Sequence, residues 1–250
     1  MLTKKIVKYI QSLSHKKFRD DEGAFIAEGP KVVSEFISVN RFPCQIICAE
    51  EAWLFENQIL LKNIPSENIF EVDESWLQRI SLLKTPNKVL AVFQKNKITE
   101  EPVFQNKISL MLDDIQDPGN FGTIIRNADW FGIEHIICSE NCVDCYNPKV
   151  IQSTMGSLSR VNIIYTDIKD FIKKNSKISL FATALSGTSI YEIEKVKEGF
   201  ILIGNESKGV HEDILQLATT HITIPRFGYA ESLNAAVASG IILAEIKRNQ

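Results

Sequence analysis

Ile222-Thr-Ile-Pro-Arg-Phe-Gly-Tyr-Ala-Glu-Ser-Leu-Asn-Ala-Ala-Val-Ala-Ser-Gly-Ile-Ile-Leu-Ala-Glu-Ile246 reads as strand, loop and helix in succession. Ile222, Thr223 and Ile224 favour a strand, Pro225 stops it, and the glycine-bearing run 226–230 cannot continue it. From Ser232 onward the residues turn helical. Ala235, Ala236, Ala238, Ser239 and Gly240 have side chains small enough to admit another backbone at close range. Glu231 at the start and Lys247 and Arg248 at the end suit the helix dipole. The polar trio Glu231, Ser232 and Asn234 at the mouth of an otherwise apolar helix has two readings: a plain N-cap by Ser232, or side chains placed for a ligand.

Upstream of this stretch, strands alternate with helices. Residues 109–115, 135–139, 161–165, 179–185, 199–204 and 221–224 read as strands, and 123–131, 147–157, 167–174, 191–196 and 211–218 as helices. Largely apolar strands separated by helices predict a mostly parallel sheet covered on both faces. A charged, amide-rich run interrupted by Pro102 marks residues 96–107 as a linker. Residues 1–95 alternate on a smaller scale, with helices at 6–13, 28–37, 53–61 and 74–80 and strands at 24–27, 45–48, 68–72 and 88–93. The expected organisation is therefore α/β throughout, a small domain over 1–95 and a larger one over 108–250.

A chain of 250 residues with 44% hydrophobic and 24% charged residues has an ordinary globular composition. No run approaches the roughly 18 apolar residues of a membrane span, and the lysine-bearing N-terminus lacks a signal-peptide core. Five cysteines without an export signal argue for reduced thiols and a cytoplasmic location. The net charge of −3 advertises no global attraction to nucleic acid. Its distribution is uneven, because Lys4, Lys5, Lys8, Lys16, Lys17 and Arg19 all precede the first acidic residue, Asp20. That cluster reads either as a phosphate-contacting patch or as a solvated helix face.

In parallel sheets ligands bind beyond the carboxyl ends of the strands. Three such ends carry unusual loops, 113–122, 204–210 and 225–234, each combining glycine with a few carboxylate, amide or hydroxyl groups. On a wheel of about 100° per residue, Ile124, Ile125, Ala128 and Phe131 share one face and Arg126 points the other way. A helix beginning near residue 123 places Arg126 in the first turn, where a cation is disfavoured. It is therefore a ligand-binding candidate, set against the plain reading of a solvated arginine. Gly119-Asn-Phe-Gly122 is not the G-x-G-x-x-G dinucleotide fingerprint, and no phosphate-binding G-x-x-x-x-G-K-[ST] follows a strand. His135, Cys138, Cys142 and Cys145 lack a second ligand pair, His135 to Cys138 reads as a strand and the cysteines as buried or loop thiols, so no metal is expected.

Asp117-Pro-Gly-Asn-Phe-Gly-Thr-Ile-Ile-Arg126, Ile203-Gly-Asn-Glu-Ser-Lys-Gly209 and Ile224-Pro-Arg-Phe-Gly-Tyr-Ala-Glu-Ser-Leu-Asn-Ala-Ala-Val-Ala238, in that order and spacing, resemble the three motifs of the SpoU (TrmH-type) RNA ribose 2′-O-methyltransferases of the SPOUT superfamily. Tyr146-Asn-Pro-Lys-Val150 with 153–156 is similar to a segment the family carries between the first two. The resemblance spans about residues 107–246 and implies a trefoil knot, bound S-adenosylmethionine and a homodimer. It implies cofactor contacts by Leu185, Gly204, Asn205, Ile224 and Leu233, and a catalytic set of Asn120, Arg126, Glu206, Ser232 and Asn234. Arginine is a poor proton acceptor, with a pKa above about 12, so phosphate anchoring and alkoxide stabilisation are its expected roles. Residues 1–95 resemble, more diffusely, the ribosomal-protein-like RNA-binding domain found ahead of many SpoU catalytic domains. That gives Lys4, Lys5, Lys16, Lys17 and Arg19 an RNA to contact, ribosomal rather than transfer RNA being favoured. A non-catalytic RNA-binding protein and a methyltransferase for another substrate are the competing readings; the full motif set argues against the first and the N-terminal domain against the second.

Overall fold

The computed structural model describes residues 2–96 and 102–248; residues 97–101 of the expected linker lie outside the described residues. The chain first forms α1 (Lys4–Ser12), α2 (Lys16–Asp21), β1 (Ala24–Glu28), α3 (Pro30–Val39), β2 (Cys44–Ala49), α4 (Glu51–Glu56), α5 (Gln58–Leu61), β3 (Ile69–Glu71), α6 (Glu74–Ile80) and β4 (Val89–Gln94). There follow β5 (Ile108–Leu112), α7 (Pro118–Trp130), β6 (His135–Cys138), α8 (Pro148–Thr154), β7 (Asn162–Tyr165), α9 (Ile168–Lys174) and β8 (Leu180–Ser189). The last elements are β9 (Gly199–Ile203), α10 (Glu212–Leu215), β10 (Thr220–Thr223) and α11 (Ala235–Arg248). They group into two compact units, Met1–Thr99 with Asp144–Arg160, and Glu100–Val143 with Val161–Gln250.

In the first unit a four-stranded sheet runs in the order β1-β4-β2-β3, antiparallel except for the β2–β3 pair. Every residue of β1 is buried, so both sheet faces are covered. On one face Ala24, Ile26, Leu90 and Val92 join Val7, Ile10, Leu77 and Ile80 of α1 and α6. Successive strand side chains point to opposite faces, and Phe25 and Phe93 turn the other way, into an aromatic cluster with Phe36, Phe42 and Tyr146. Tyr146 comes from the segment Asp144–Arg160, which the domain boundaries expected from the sequence place in 108–250. Aromatic packing explains where it sits, since the Phe25 and Tyr146 rings lie 4.8 Å apart.

The same segment corrects one candidate RNA contact. Arg19 is buried, 2% exposed; its guanidinium donates to the carbonyls of Leu13 and Ser14 at 3.0 and 2.9 Å and to Asp144 Oδ2 at 2.7 Å. A guanidinium with its donors taken up by one carboxylate and two carbonyls is spent on the fold. Lys4, Lys5, Lys16 and Lys17 are exposed.

The second unit is built on a six-stranded sheet in the order β10-β8-β9-β5-β6-β7, with every pair parallel. Met111, Ile137, Leu180, Ala182 and Leu202 pack one face against Ile168 and Ile172 of α9. Phe104 joins that core although it lies within the expected linker; its ring meets those of Phe171 and Phe200 at 5.3 and 5.4 Å. Helix α7 buries Phe121, Ile124, Ile125 and Ala128, and α11 buries Ala235, Ala236, Ser239, Ile242 and Leu243. The two helices are tied where Asn127 Nδ2 donates to the Ala236 carbonyl and to Ser239 Oγ, each at 2.9 Å. Small residues allow this: a Cβ on Gly240 would stand 3.3 Å from the Asn127 amide.

Two expectations shift. The helix expected at 191–196 is only a 3-10 turn, Ile190–Glu192, because β8 runs on to Ser189 by pairing Thr188 and Ser189 with Ile222 and Thr223 of β10. Helix α11 begins at Ala235 rather than Ser232.

Replacing Arg19 with Met leaves the Asp144 carboxylate without its ion pair, a loss of about 3–5 kcal/mol by analogy with other broken buried pairs. Urea denaturation in a Trp130→Phe background, where Trp53 and Trp76 report the first unit, should show this loss. Replacing Asp144 with Leu as well should restore part of it.

Candidate active site

The three loops singled out in the sequence leave the carboxyl ends of β5, β9 and β10, three strands of one parallel sheet. Asp117 caps α7, its Oδ1 accepting from the Asn120 N–H at 2.8 Å, and Pro118 occupies the first turn, where a missing N–H costs nothing. This start places Arg126 more than two turns inside the helix. The argument that it opposes the helix dipole therefore lapses, because that effect is confined to the first turn.

Asn120 is where the loops meet. Its Nδ2 donates to Glu206 Oε1 at 2.6 Å, and its Oδ1 accepts from Asn234 Nδ2 at 2.8 Å. Asn234 Oδ1 in turn accepts from the N–H groups of Ala236 and Val237 at 2.9 and 3.1 Å. Asn234, not Ser232, is thus the N-cap of α11, and the same amide reaches the first loop. The run Glu206–Asn120–Asn234 has a fixed polarity, because a carboxylate at one end and helix N–H groups at the other leave each amide one orientation.

The loop 204–210 folds back on itself, with Asn205 and Gly209 exchanging backbone bonds at 3.0 and 2.9 Å. A Cβ on Gly204 would stand 2.2 Å from the Gly209 carbonyl carbon, so only glycine allows this closure. Asn205 Oδ1 accepts from the Ser207 and Lys208 N–H groups, and its Nδ2 donates to the Asp114 carbonyl at 2.8 Å.

Leu185 owes its position to a bulge. Ala182 pairs with His221 and Thr188 with Ile222, so β8 advances six residues while β10 advances one. Leu185 lies in the unmatched stretch and is 86% exposed. Such irregularities at strand ends commonly re-aim side chains beside sites. A Cβ on Gly187 would stand 2.5 Å from the His221 carbonyl oxygen, which makes that residue the hinge of the bulge. Thr223 Oγ1 donates to the Leu185 carbonyl at 3.4 Å; Ile224, the next residue, is half-buried. Leu233, at 47% exposed, leads into Asn234.

The structure therefore brings Asn120, Glu206 and Asn234 into one network and bonds Leu185 to Thr223, the residue before Ile224. Arg126 and Ser232 are both exposed, and neither side chain makes a hydrogen bond among the described residues. Not singled out in the sequence are Asn127, which ties α7 to α11, and Asp113 and Asp114, which fasten the segment 205–211. Asn127 was findable, since it follows Asn120 by seven residues and so repeats on the same helix face. Among the described residues no group of three or more His, Cys, Asp and Glu could hold a metal ion. The pKa of the free Cys142 thiol is held below the usual cysteine value, first by a hydrogen bond with the Cys138 thiol and then by Ser139 and the Ile115 N–H, against the upward push of burial.

Leu185 in the β8 bulge, Ile224 just past β10 and Leu233 just before α11 leave apolar side chains partly uncovered, a lining of the kind that would fit the adenine ring of S-adenosylmethionine. Comparison with known proteins agrees. The SpoU rRNA Methylase family matches residues 107–244, and the MRM3-like substrate binding domain matches residues 4–91. A Bacillus subtilis relative, the 23S rRNA (guanosine(2553)-2′-O)-methyltransferase RlmP, is 28% identical over 96% of this chain and 95% of its own. A TrmH-family structure from Porphyromonas gingivalis superposes with a TM-score of 0.88 at 33% identity, covering 100% of both chains. The AdoMet-bound rRNA methyltransferase from Sinorhizobium meliloti does so at 0.87 and 30% identity, covering 99% of this chain and 96% of that one. With its motif loops joined through Asn120 and the family match extending over more than half its length, the chain belongs to the SpoU rRNA methylase family.

Proposed function

We propose that this protein transfers a methyl group from S-adenosylmethionine to a ribose 2′-hydroxyl of ribosomal RNA. The observation that carries the reading is the Glu206–Asn120–Asn234 network, which joins all three motifs at the edge of the parallel sheet. Support for ribosomal RNA comes from the B. subtilis relative and from a Streptomyces viridochromogenes 23S rRNA (uridine(2479)-2′-O)-methyltransferase, 26% identical over 95% of this chain. The cofactor supplies an electrophilic methyl on a sulfonium. The chain's own contribution is position: a hydroxyl held in line at about 3–3.5 Å reacts as if at very high concentration. Asn120 and Asn234 fix the floor of the site and Glu206 sets a negative charge beside it. Leu233 and Ile224 keep water from the apolar end.

Arg126, Trp130 and Val237 give this proposal a further part. Positions 123, 126 and 130 of α7 are all exposed, Trp130 at 84%, and Val237 of α11 is 51% exposed. An exposed tryptophan on the helix that carries a catalytic candidate, with an exposed valine on its neighbour, suits a second copy of the chain. We read the protein as a homodimer in which Arg126 acts across the interface, its guanidinium fork holding phosphate and stabilising the developing alkoxide. The SPOUT trefoil knot belongs to the same reading. It is supported by the tight closure of Gly204 on Gly209 and by the docking of α11 on α7 beyond the loop 225–234. No helix among the described residues is long and apolar enough to cross a membrane, and we place the enzyme with its RNA in the cytoplasm.

Incubating the purified protein with methyl-labelled S-adenosylmethionine and ribosomal RNA from a strain lacking it should give label at a ribose 2′-oxygen. Cofactor binding without transfer to any RNA would overturn the reading. Arg126→Ala should lower kcat/KM by about a hundredfold, the scale of losing one oriented donor. Arg126→Lys should recover little, since a point charge does not replace a fork; near-normal turnover with unchanged RNA affinity would exclude bidentate recognition.

Light scattering should return twice the 28.3 kDa chain mass, and Trp130→Asp with Val237→Asp should give an inactive monomer. Converting Lys4, Lys5, Lys16 and Lys17 to Gln should flatten the salt dependence of RNA binding, by about 0.7–0.9 in log–log slope for each phosphate no longer neutralised. The methyl-transfer rate at saturating RNA should stay within a factor of a few.

A further inference from the structure

Asp113 follows β5 and is sealed, 2% exposed. A carboxylate in such a place must be met by donors. Both come from one residue: Asp113 Oδ2 accepts from the His211 backbone N–H at 2.9 Å and lies 2.7 Å from His211 Nδ1. His211 is the first residue beyond the loop 204–210 that carries Glu206. The neighbouring Asp114 grips the same loop at two more points, through the Asn205 amide on its carbonyl at 2.8 Å and Lys208 Nζ at 3.8 Å from its carboxylate. The entry, crest and exit of the loop are thus all fastened to the two residues that begin the Asn120 segment.

The two sides of the Asp113–His211 bond differ in their access to water. The imidazole is 45% exposed and the carboxylate 2%, so the histidine exchanges protons with solvent while its partner stays fixed. The groups facing it are Asp113 and Asp114 from the end of β5, and Asp213 from its own helix. The cations on these carboxylates are Lys208, drawn toward Asp114 at 3.8 Å, and Lys169 of α9, paired with Asp213 at 2.6 Å. The three carboxylates together hold the His211 pKa above its usual value, the Asp113 hydrogen bond first and the Asp113 charge second.

We propose that His211 is a positioning residue for methyl transfer: pinned on Asp113, it holds the loop 204–210 so that Glu206 meets Asn120, and the hold is tightest when the imidazole carries a proton. The role rests on the methyl-transfer reading of Glu206 and Asn120. A neutral imidazole with its proton on Nδ1 still donates to Asp113, so the hold slackens rather than vanishes when the charge is lost. Its sign follows from the raised folded-state pKa. The extra stabilisation is complete below the unfolded histidine value of about 6.5 and is lost as pH rises through the higher folded value.

The test compares the wild-type protein with His211→Ala and His211→Asn between pH 6 and 9. It measures kcat, KM for S-adenosylmethionine and, without RNA or cofactor, the melting temperature. Asn places an amide nitrogen where Nδ1 stood but cannot be charged. His211→Ala should raise the cofactor KM several-fold at pH 6.5, and His211→Asn should recover most of that loss. Wild-type KM and melting temperature should worsen relative to His211→Asn as pH rises past the histidine's pKa, so that the two proteins converge at high pH. A wild-type to Asn ratio that is flat with pH, or His211→Ala with unchanged KM, would overturn the proposal. If wild type transfers no methyl group at any pH, the functional reading fails, and the melting-temperature difference still decides whether the protonated clamp exists.

Discussion

One side-chain amide holds the catalytic unit's loops in register. Asn234 spends its oxygen on the first N–H groups of α11 and its nitrogen on Asn120. A helix start must satisfy those N–H groups somehow, and here the group that does so is also the link between the third motif and the first. The cap and the site are the same bond network, so the direction of α11 and the placement of Asn120 are set together. Asn127 repeats the arrangement two turns further along α7 with a second amide on the Ala236 carbonyl and Ser239. Between them the two asparagines make α7 and α11 one rigid surface.

The parallel sheet decides why such a network can exist. All six strands deliver their carboxyl ends to one edge, and the residues that follow β5 and β9 are gripped at once: Asp113 N–H bonds to the Ile203 carbonyl at 2.9 Å before either loop departs. The bulge in β8 interrupts that regularity, leaving Leu185 exposed in a stretch that β10 does not match.

What could be read from the sequence divides along physical lines. Strands and most helices followed from periodicity because both sheets are covered and their residues are nearly all apolar. The motif loops stood out because glycine, carboxylate and amide together are rare in packed elements. The burial of Arg19 is not legible, because a lysine-rich run gives no hint that one member faces inward and its partner Asp144 lies 125 residues away. Ser232 and Asn234 are both good caps, and the choice between them was made by a tertiary contact to Asn120. The expected start of α7 was late because Pro118 and Gly119 look like loop residues, though proline is favoured in a first helical turn. The helix at 191–196 failed for the opposite reason, its helical pattern losing to a strand that gained a partner.

The route of the chain through its first unit has a consequence for synthesis. Phe25, Phe36 and Phe93 are all made early. The ring that completes their cluster, Tyr146, and the carboxylate that Arg19 needs, Asp144, follow about fifty residues after β4 ends. Domains generally fold as units while the chain emerges at about 5–20 residues per second. The nascent N-terminal unit therefore spends seconds with an aromatic face open and a guanidinium half satisfied, a span in which a ribosome-bound chaperone has something to hold.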